Sequence, residues 1–282
     1  MNNMRPTKTI AVTGGKGGVG KTSVAVNIAL ELVKNGNSVL LLDADLGMAN
    51  VDIMLNLKPR FDLSHVIDGH CDLEDVIIKG PGGLHVVPAA SGLGRMADLS
   101  SLEQAGLIRA FSYLESKYDV LVVDTAAGIA SSVTSFTKAA QEIVVVVCDE
   151  PASLADAYGL IKVLSKEHAV KRFQILTNMV GTPEHGKALY SRLADVADLY
   201  LDVSLGYLGS IPMDDTMRSA VKSRAAVTDK YPYSAASLAF QKLAKRLLDL
   251  PITAGTNGQV EFFVERALAS KNGDGMWERG IR

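Results

Sequence analysis

The stretch Gly15-Lys16-Gly17-Gly18-Val19-Gly20-Lys21-Thr22 limits the possible folds of this chain more than any other feature. It follows the apolar, β-rich run Thr9-Ile10-Ala11-Val12-Thr13. It opens residues 21–35, where Val24, Ile28 and Leu32 recur at helical spacing until Gly36. A Gly-x4-Gly-Lys-Thr turn between a strand and a helix is a phosphate-binding P-loop. Its glycines let backbone N–H groups surround phosphate oxygens, and the helix start adds partial positive charge. The expected nucleotide contacts therefore run from Gly15 through Ser23. Lys21 is expected to neutralise the β and γ phosphates, and the Thr22 hydroxyl to ligate Mg²⁺.

The rest of the chain repeats the strand-then-helix pattern. Strands are expected at Val39–Leu42, Leu84–Val87, Val120–Val123, Ile143–Val147, Phe173–Leu176 and Gly206–Gly209. Helices are expected near residues 102–117, 154–164, 187–199 and 234–248. The strand runs do not alternate apolar with polar, so both of their faces must be covered, as in a parallel sheet between helical layers. The expected fold is α/β, a doubly wound, mostly parallel sheet with its ligand beyond the carboxyl ends of the strands.

The unusual acidic residues fall at those ends. Asp43 and Asp45 follow the second strand at i and i+2, and Asp124 closes Val120–Val123. A single strand-end carboxylate could be a cap or turn residue; three of them facing one phosphate loop point to a metal-nucleotide site. Asn178 ends another strand, where asparagine is also a common turn former. Cys148 closes an apolar run and reads as a small core residue, and neither it nor Cys71 fits a metal-ligand spacing.

Lys16, a second lysine within the loop, makes Lys16-Gly17-Gly18-Val19-Gly20-Lys21-Thr22 resemble the deviant Walker A motif of the MinD/ParA family. That resemblance implies an ATP-dependent homodimer in which Lys16 reaches the partner's nucleotide, as an arginine finger would. It also implies that Asp43 and Asp124 hold the Mg²⁺ shell with Thr22, and that Asp45 orients or activates the attacking water. Gly128, in Thr125-Ala126-Ala127-Gly128, would bring an N–H to the γ-phosphate. Asn178 would bond the adenine edge, together with backbone groups of Ile211, Pro212 and Met213. ATP and ADP are the implied nucleotides, and the chain has no Asn-Lys-x-Asp guanine signature.

Several stretches are most similar to the FlhG/FleN branch, the MinD-like regulators of bacterial flagellar number. They include Asp43-Ala44-Asp45-Leu46-Gly47-Met48-Ala49-Asn50-Val51-Asp52, Val123-Asp124-Thr125-Ala126-Ala127-Gly128-Ile129, and Glu261-Phe262-Phe263-Val264-Glu265-Arg266. The branch implies as partners a flagellar master transcription activator of the enhancer-binding class and flagellar switch-complex proteins. The GTPase FlhF is a further implied partner, stimulated in many members through an N-terminal Asp-Gln-Ala-x-x-Leu-Arg type motif. Met1–Lys8 holds no such motif, which points either to a chain without that activity or to a shortened N-terminus.

A P-loop ATPase domain is expected over 1–250, a breaker-rich linker over 251–258, an amphipathic helix over 259–269 and a disordered tail over 270–282. In that helix Val260, Phe263, Val264, Ala267 and Leu268 share one face. It could lie on membrane lipid or dock on the body of the domain. The Min-type resemblance adds reversible inner-membrane association to a protein otherwise expected in the cytoplasm. The competing function is a ParA-type segregation ATPase that binds DNA without sequence preference. A net charge of −2 argues against it, and no specific nucleic-acid binding is expected. A metabolic synthetase would need a second substrate pocket with catalytic groups, and no such constellation is legible.

Overall fold

A computed structural model of the chain describes residues 6–89, 99–251 and 261–263. The first half runs β1 (Lys8–Thr13), α1 (Lys21–Lys34), β2 (Val39–Ala44), α2 (Val51–Met54), α3 (Leu63–Ile67), β3 (Ile78–Lys79), β4 (His85–Val87), α4 (Ser101–Ala110) and β5 (Val120–Thr125). The second runs α5 (Ser131–Lys138), β6 (Glu142–Val147), α6 (Pro151–His168), β7 (Arg172–Val180), α7 (Pro183–Tyr200), β8 (Ser204–Pro212), α8 (Asp215–Lys222), α9 (Val227–Lys230) and α10 (Ala235–Asp249).

These strands form one eight-stranded sheet in the order β3-β4-β2-β5-β1-β6-β7-β8. Every pairing is parallel except β3 with β4. The absence of polar alternation has a direct cause in the packing. Along β1, Ile10 and Val12 enter the core beneath α1 and α10, while Ala11 enters the core on the opposite face. Along β6, Val144 and Val146 face the first side, and Ile143, Val145 and Val147 pack against α6 and α7. The central strands β1, β2, β5 and β6 are thus buried on both faces, as parallel strands under helical layers must be. The expected fold class is the observed one.

β1 lies between β5 and β6, so the direction of winding reverses on either side of it. The crevice at that reversal is where a doubly wound sheet holds its ligand, and the β1–α1 loop occupies it.

The local differences are instructive. The helix expected over residues 102–117 ends at Ala110, and Phe111–Lys117 winds on as a 3-10 helix. The two-residue β3 and the short helices α2, α3, α8 and α9 lie below the length at which periodicity speaks. Most of the segment expected as the 259–269 helix lies outside the described residues, as do the linker from 252 on and the tail. Glu261–Phe263 is described, and it forms a turn with Phe263 at φ 64. Phe262 and Phe263 are buried against the body. The Phe262 N–H donates to the Ala139 carbonyl (3.1 Å), and its ring meets Phe111 edge-on at 5.5 Å and stacks near Phe136. Cys148 is buried in the core, as its apolar surroundings in the sequence suggest. No helix among the described residues is long and apolar enough to cross a membrane.

Candidate functional site

Gly20 caps α1 in the left-handed conformation (φ 91), which only glycine adopts without strain. It turns the chain so that the first N–H groups of α1 open into the crevice. Gly15 meets a different demand: a Cβ there would lie 2.2 Å from the backbone of Asp156 in α6. Gly17 and Gly18 have open space around them. Val19 is buried in the core and pins the middle of the loop. Thr22 and Ser23 follow on the first turn of α1, both half-buried.

Lys21 is nearly buried, and its Nζ donates to the Lys16 carbonyl at 3.2 Å. Burial lowers its pKa, opposed by the charges of Asp124 and Asp45. Lys16 points the other way, onto the carboxylate of Glu150 at the N-terminal boundary of α6. That hydrogen bond, the largest influence on it, raises the Lys16 pKa.

Asp43 and Asp124 are register partners on β2 and β5, and both are buried. Asp43 accepts backbone N–H groups from Asp45 (3.1 Å), Asn50 (2.9 Å) and Val51 (3.1 Å), so its carboxylate gathers the whole loop after β2. Burial pushes Asp43 up to about 6 against those bonds. Asp124 is raised well above the usual carboxylate range, first by burial and then by the Asp43 charge, while a hydrogen bond from Thr22 and the Lys21 charge pull it down. Its Oδ1 is buried without a protein partner. The two carboxylates, one of them with its orphaned oxygen, and the Thr22 hydroxyl make a hard oxygen donor set suited to Mg²⁺, which takes few protein ligands and leaves the rest to water and phosphate. The residues present therefore fit the ion.

Asp45 is half-buried and accepts the Met48 N–H at 3.1 Å. Gly128 adopts φ 95, and its N–H donates to the Gly14 carbonyl at 3.1 Å, so in this conformation that N–H is tied to the phosphate loop. Beside the loop a cavity of about 320 Å³ is lined by Gly18, Gly20, Asn178, Met179, Pro212 and Met213, with Met217, Arg218 and Lys222 on α8. It can accept a nucleobase next to the phosphates. Ile211 does not line it; its side chain is in the core. Asn178 is buried, and its amide bonds the backbone at Val19 and Met179.

Sequence reasoning named Met213 but missed Glu150, which lies 134 positions from Lys16, and Met179 and Met217 of the cavity. Glu150 carried one signal, the following Pro151 that starts a helix. Nothing in the pattern paired it with Lys16.

The chain matches the CobQ/CobB/MinD/ParA nucleotide-binding domain family over residues 10–227. It is 53% identical over 94% of its length to the antiactivator FleN of Pseudomonas aeruginosa, covering 95% of that protein. It is 33% identical over 88% of its length to the flagellum site-determining protein YlxH of Helicobacter pylori, covering 84% of it. Among solved structures it resembles the septum site-determining protein MinD of Pyrococcus horikoshii complexed with Mg-ADP. There the TM-score is 0.72 at 27% identity, covering 86% of this chain and 96% of that one.

Proposed function

This chain belongs to the CobQ/CobB/MinD/ParA nucleotide-binding family and is a P-loop ATPase homologous to the FleN and YlxH flagellar regulators, and on that premise we propose that it acts as an ATP-timed dimerisation switch. The observation that carries this reading is the orphaned Oδ1 of Asp124, buried beside Thr22 and Lys21 at the mouth of the phosphate loop.

The Gly15–Ser23 backbone cradles the β and γ phosphates, and Lys21 turns from the Lys16 carbonyl to meet them. Thr22 and Asp124 would hold Mg²⁺, with Asp43 behind them, and the ion would supply positive charge to offset that of the phosphates. Asp43 also fixes Asp45 through the loop they share. Asp45 orients and accepts a proton from the attacking water. Lys16 leaves Glu150 for the partner protomer's nucleotide and stabilises the charge developing there. Gly128 exchanges the Gly14 carbonyl for the γ-phosphate, which couples the loop after β5 to the nucleotide state.

The output is a change of partner. The ATP dimer restrains a flagellar transcription activator of the enhancer-binding class and engages flagellar switch-complex proteins, a reading supported by the likeness to an antiactivator. The docked Phe262 and Phe263 support a C-terminal segment held on the monomer body and released to a membrane surface by the dimer. The DNA-segregation alternative gains little from Arg218 and Lys222, which border the base-side cavity.

Steady-state hydrolysis tests the chemistry. Asp45→Ala is expected to lower kcat by about 10²-fold or more while leaving ATP binding near wild type. An unchanged kcat would remove Asp45 from the reaction.

A further inference from the structure

We propose that Asn27 is a positioning residue for the nucleobase, which fixes the helical part of the base-side cavity, α8, against the helix that follows the phosphate loop. The proposal rests on the nucleotide reading above and adds to it a buried residue outside the cavity lining.

Asn27, Glu31 and Lys34 follow one another at i, i+4 and i+7 along α1, a polar row on a helix otherwise buried through apolar side chains. Asn27 is 2% exposed and Glu31 3%. Polar side chains so buried cost free energy unless they are hydrogen-bonded, and this row is paired with α9. The Asn27 Oδ1 accepts both the main-chain N–H and the hydroxyl of Thr228, each at 3.1 Å. Its Nδ2 donates to the Ser23 carbonyl at 2.7 Å. An N–H can only donate and a carbonyl can only accept, so these neighbours fix the orientation of the amide. Lys34 repeats the tie further along α1. It donates to the Thr228 carbonyl at 2.7 Å and pairs with Asp229 (3.0 Å) and Glu31 (2.9 Å).

What this tie holds in place is α8. Of its residues only Ala220 is buried, with Met217 packed partly against the core. A helix with so few buried apolar contacts takes its position from what holds its ends. Its start is held by Asp214, whose carboxylate accepts the Thr216 and Ala236 N–H groups at 2.9 and 3.0 Å. Its other end turns at Arg224, φ 52, directly into the buried residues 226–228. Yet α8 supplies Met217, Arg218, Val221 and Lys222 to the cavity, while Asn178 and Pro212 come from β7 and β8. The sheet fixes the strand residues; the Asn27–Thr228 contact fixes the helical ones. The same amide bonds Ser23, which also lines the cavity, so one side chain joins the start of α1 to the helix that borders the base.

The test compares MgATP with Mg-tripolyphosphate binding to the full chain by calorimetry or competition, for wild type, Asn27→Leu and Thr228→Val, with nucleotide-free melting recorded for each. Tripolyphosphate has no base, so the ratio of the two affinities isolates what the base contributes. Asn27→Leu, similar in volume but without these hydrogen bonds, is expected to weaken ATP on the order of tenfold and to leave tripolyphosphate within about twofold of wild type. Thr228→Val keeps the main-chain N–H and loses only the hydroxyl. It should shift the ratio the same way by about two- to threefold, with Thr228→Ser matching wild type, and it carries the test if Asn27→Leu does not fold. A purely structural Asn27 would lower the melting temperature and leave the ratio unchanged. That result, or an equal weakening of both ligands, would overturn the proposal. A wild-type chain that binds neither ligand would instead overturn the nucleotide reading, and this assignment with it.

Discussion

Gly15→Ala separates two jobs of the phosphate loop, contact with ligand and contact with the protein's own backbone. The added Cβ would stand 2.2 Å from the carbonyl carbon and oxygen of Asp156 and 2.8 Å from the Ala157 nitrogen. Ordinary contact begins at 3.4 Å, so loop and helix must part by roughly 1.2 Å. Neither can yield cheaply. α6 is anchored through Ala157, Leu160, Ile161 and Leu164 in the core beneath it, and the loop is anchored by buried Val19. Overpacking against backbone on both sides belongs at the upper end of the usual range, ~3 kcal/mol. For a domain of this size each kcal/mol moves Tm by about 2–4 °C, so the nucleotide-free protein should melt ~6–12 °C lower. Gly17→Ala is the control, because nothing lies within 4 Å of its Cβ and its φ is ordinary. It should melt within about 2 °C of wild type. Differential scanning calorimetry without nucleotide reads both variants. A Gly15→Ala protein that melts like wild type, or a Gly17→Ala protein that melts far lower, would refute the packing argument.

Two further predictions concern the charges around the loop. Asp43 is held up to about 6 and its neighbour Asp124 is also raised, so between the unfolded value of 3.8 and about 6 the folded chain keeps protons that the unfolded chain has lost. Raising the pH through that window therefore destabilises the metal-free protein. The melting temperature in EDTA should fall from pH 5 to pH 7, Asp124→Asn should flatten the fall, and an undiminished slope in that variant would show that the pair is not its source. Glu150→Gln removes the carboxylate that holds Lys16. Because the pair is partly exposed, the effect should be modest: an ATP-dependent dimer tightened about two- to fivefold in sedimentation, where a weakened dimer would mean that Glu150 serves the assembled state instead.

The parts of this fold that could be read in advance are those where one residue type has only one good physical use. A glycine-rich turn between an apolar strand and an amphipathic helix fixed β1, α1 and the loop between them. Carboxylates at the ends of apolar strands located Asp43 and Asp124, which the sheet register then brings side by side. What escaped was set by distance or by local compromise. Glu150 meets Lys16 only because α6 begins beside the loop, and no periodicity links positions so far apart. The Gly128 N–H bonded to the Gly14 carbonyl, and Asn178 turned toward Val19 by a bulge, are backbone choices without a pattern in side-chain type. Phe262 and Phe263 show the limit of amphipathic reasoning. Two aromatic residues from a helix-like pattern lie in a turn, where Phe262 packs against Phe111 and Phe136 and Phe263 against Phe262. Periodicity says that a face is apolar; it does not say what the face packs against.

The central claim is that ATP closes two copies of this chain and that Lys16 crosses between them. Light scattering in the presence of ADP and of a non-hydrolysable ATP analogue, on wild type and Lys16→Ala, tests it most directly. The account predicts a monomer with ADP, a dimer with the analogue for wild type alone, and a monomer throughout for Lys16→Ala. A mass indifferent to nucleotide, or a Lys16→Ala protein that dimerises as wild type does, would contradict it.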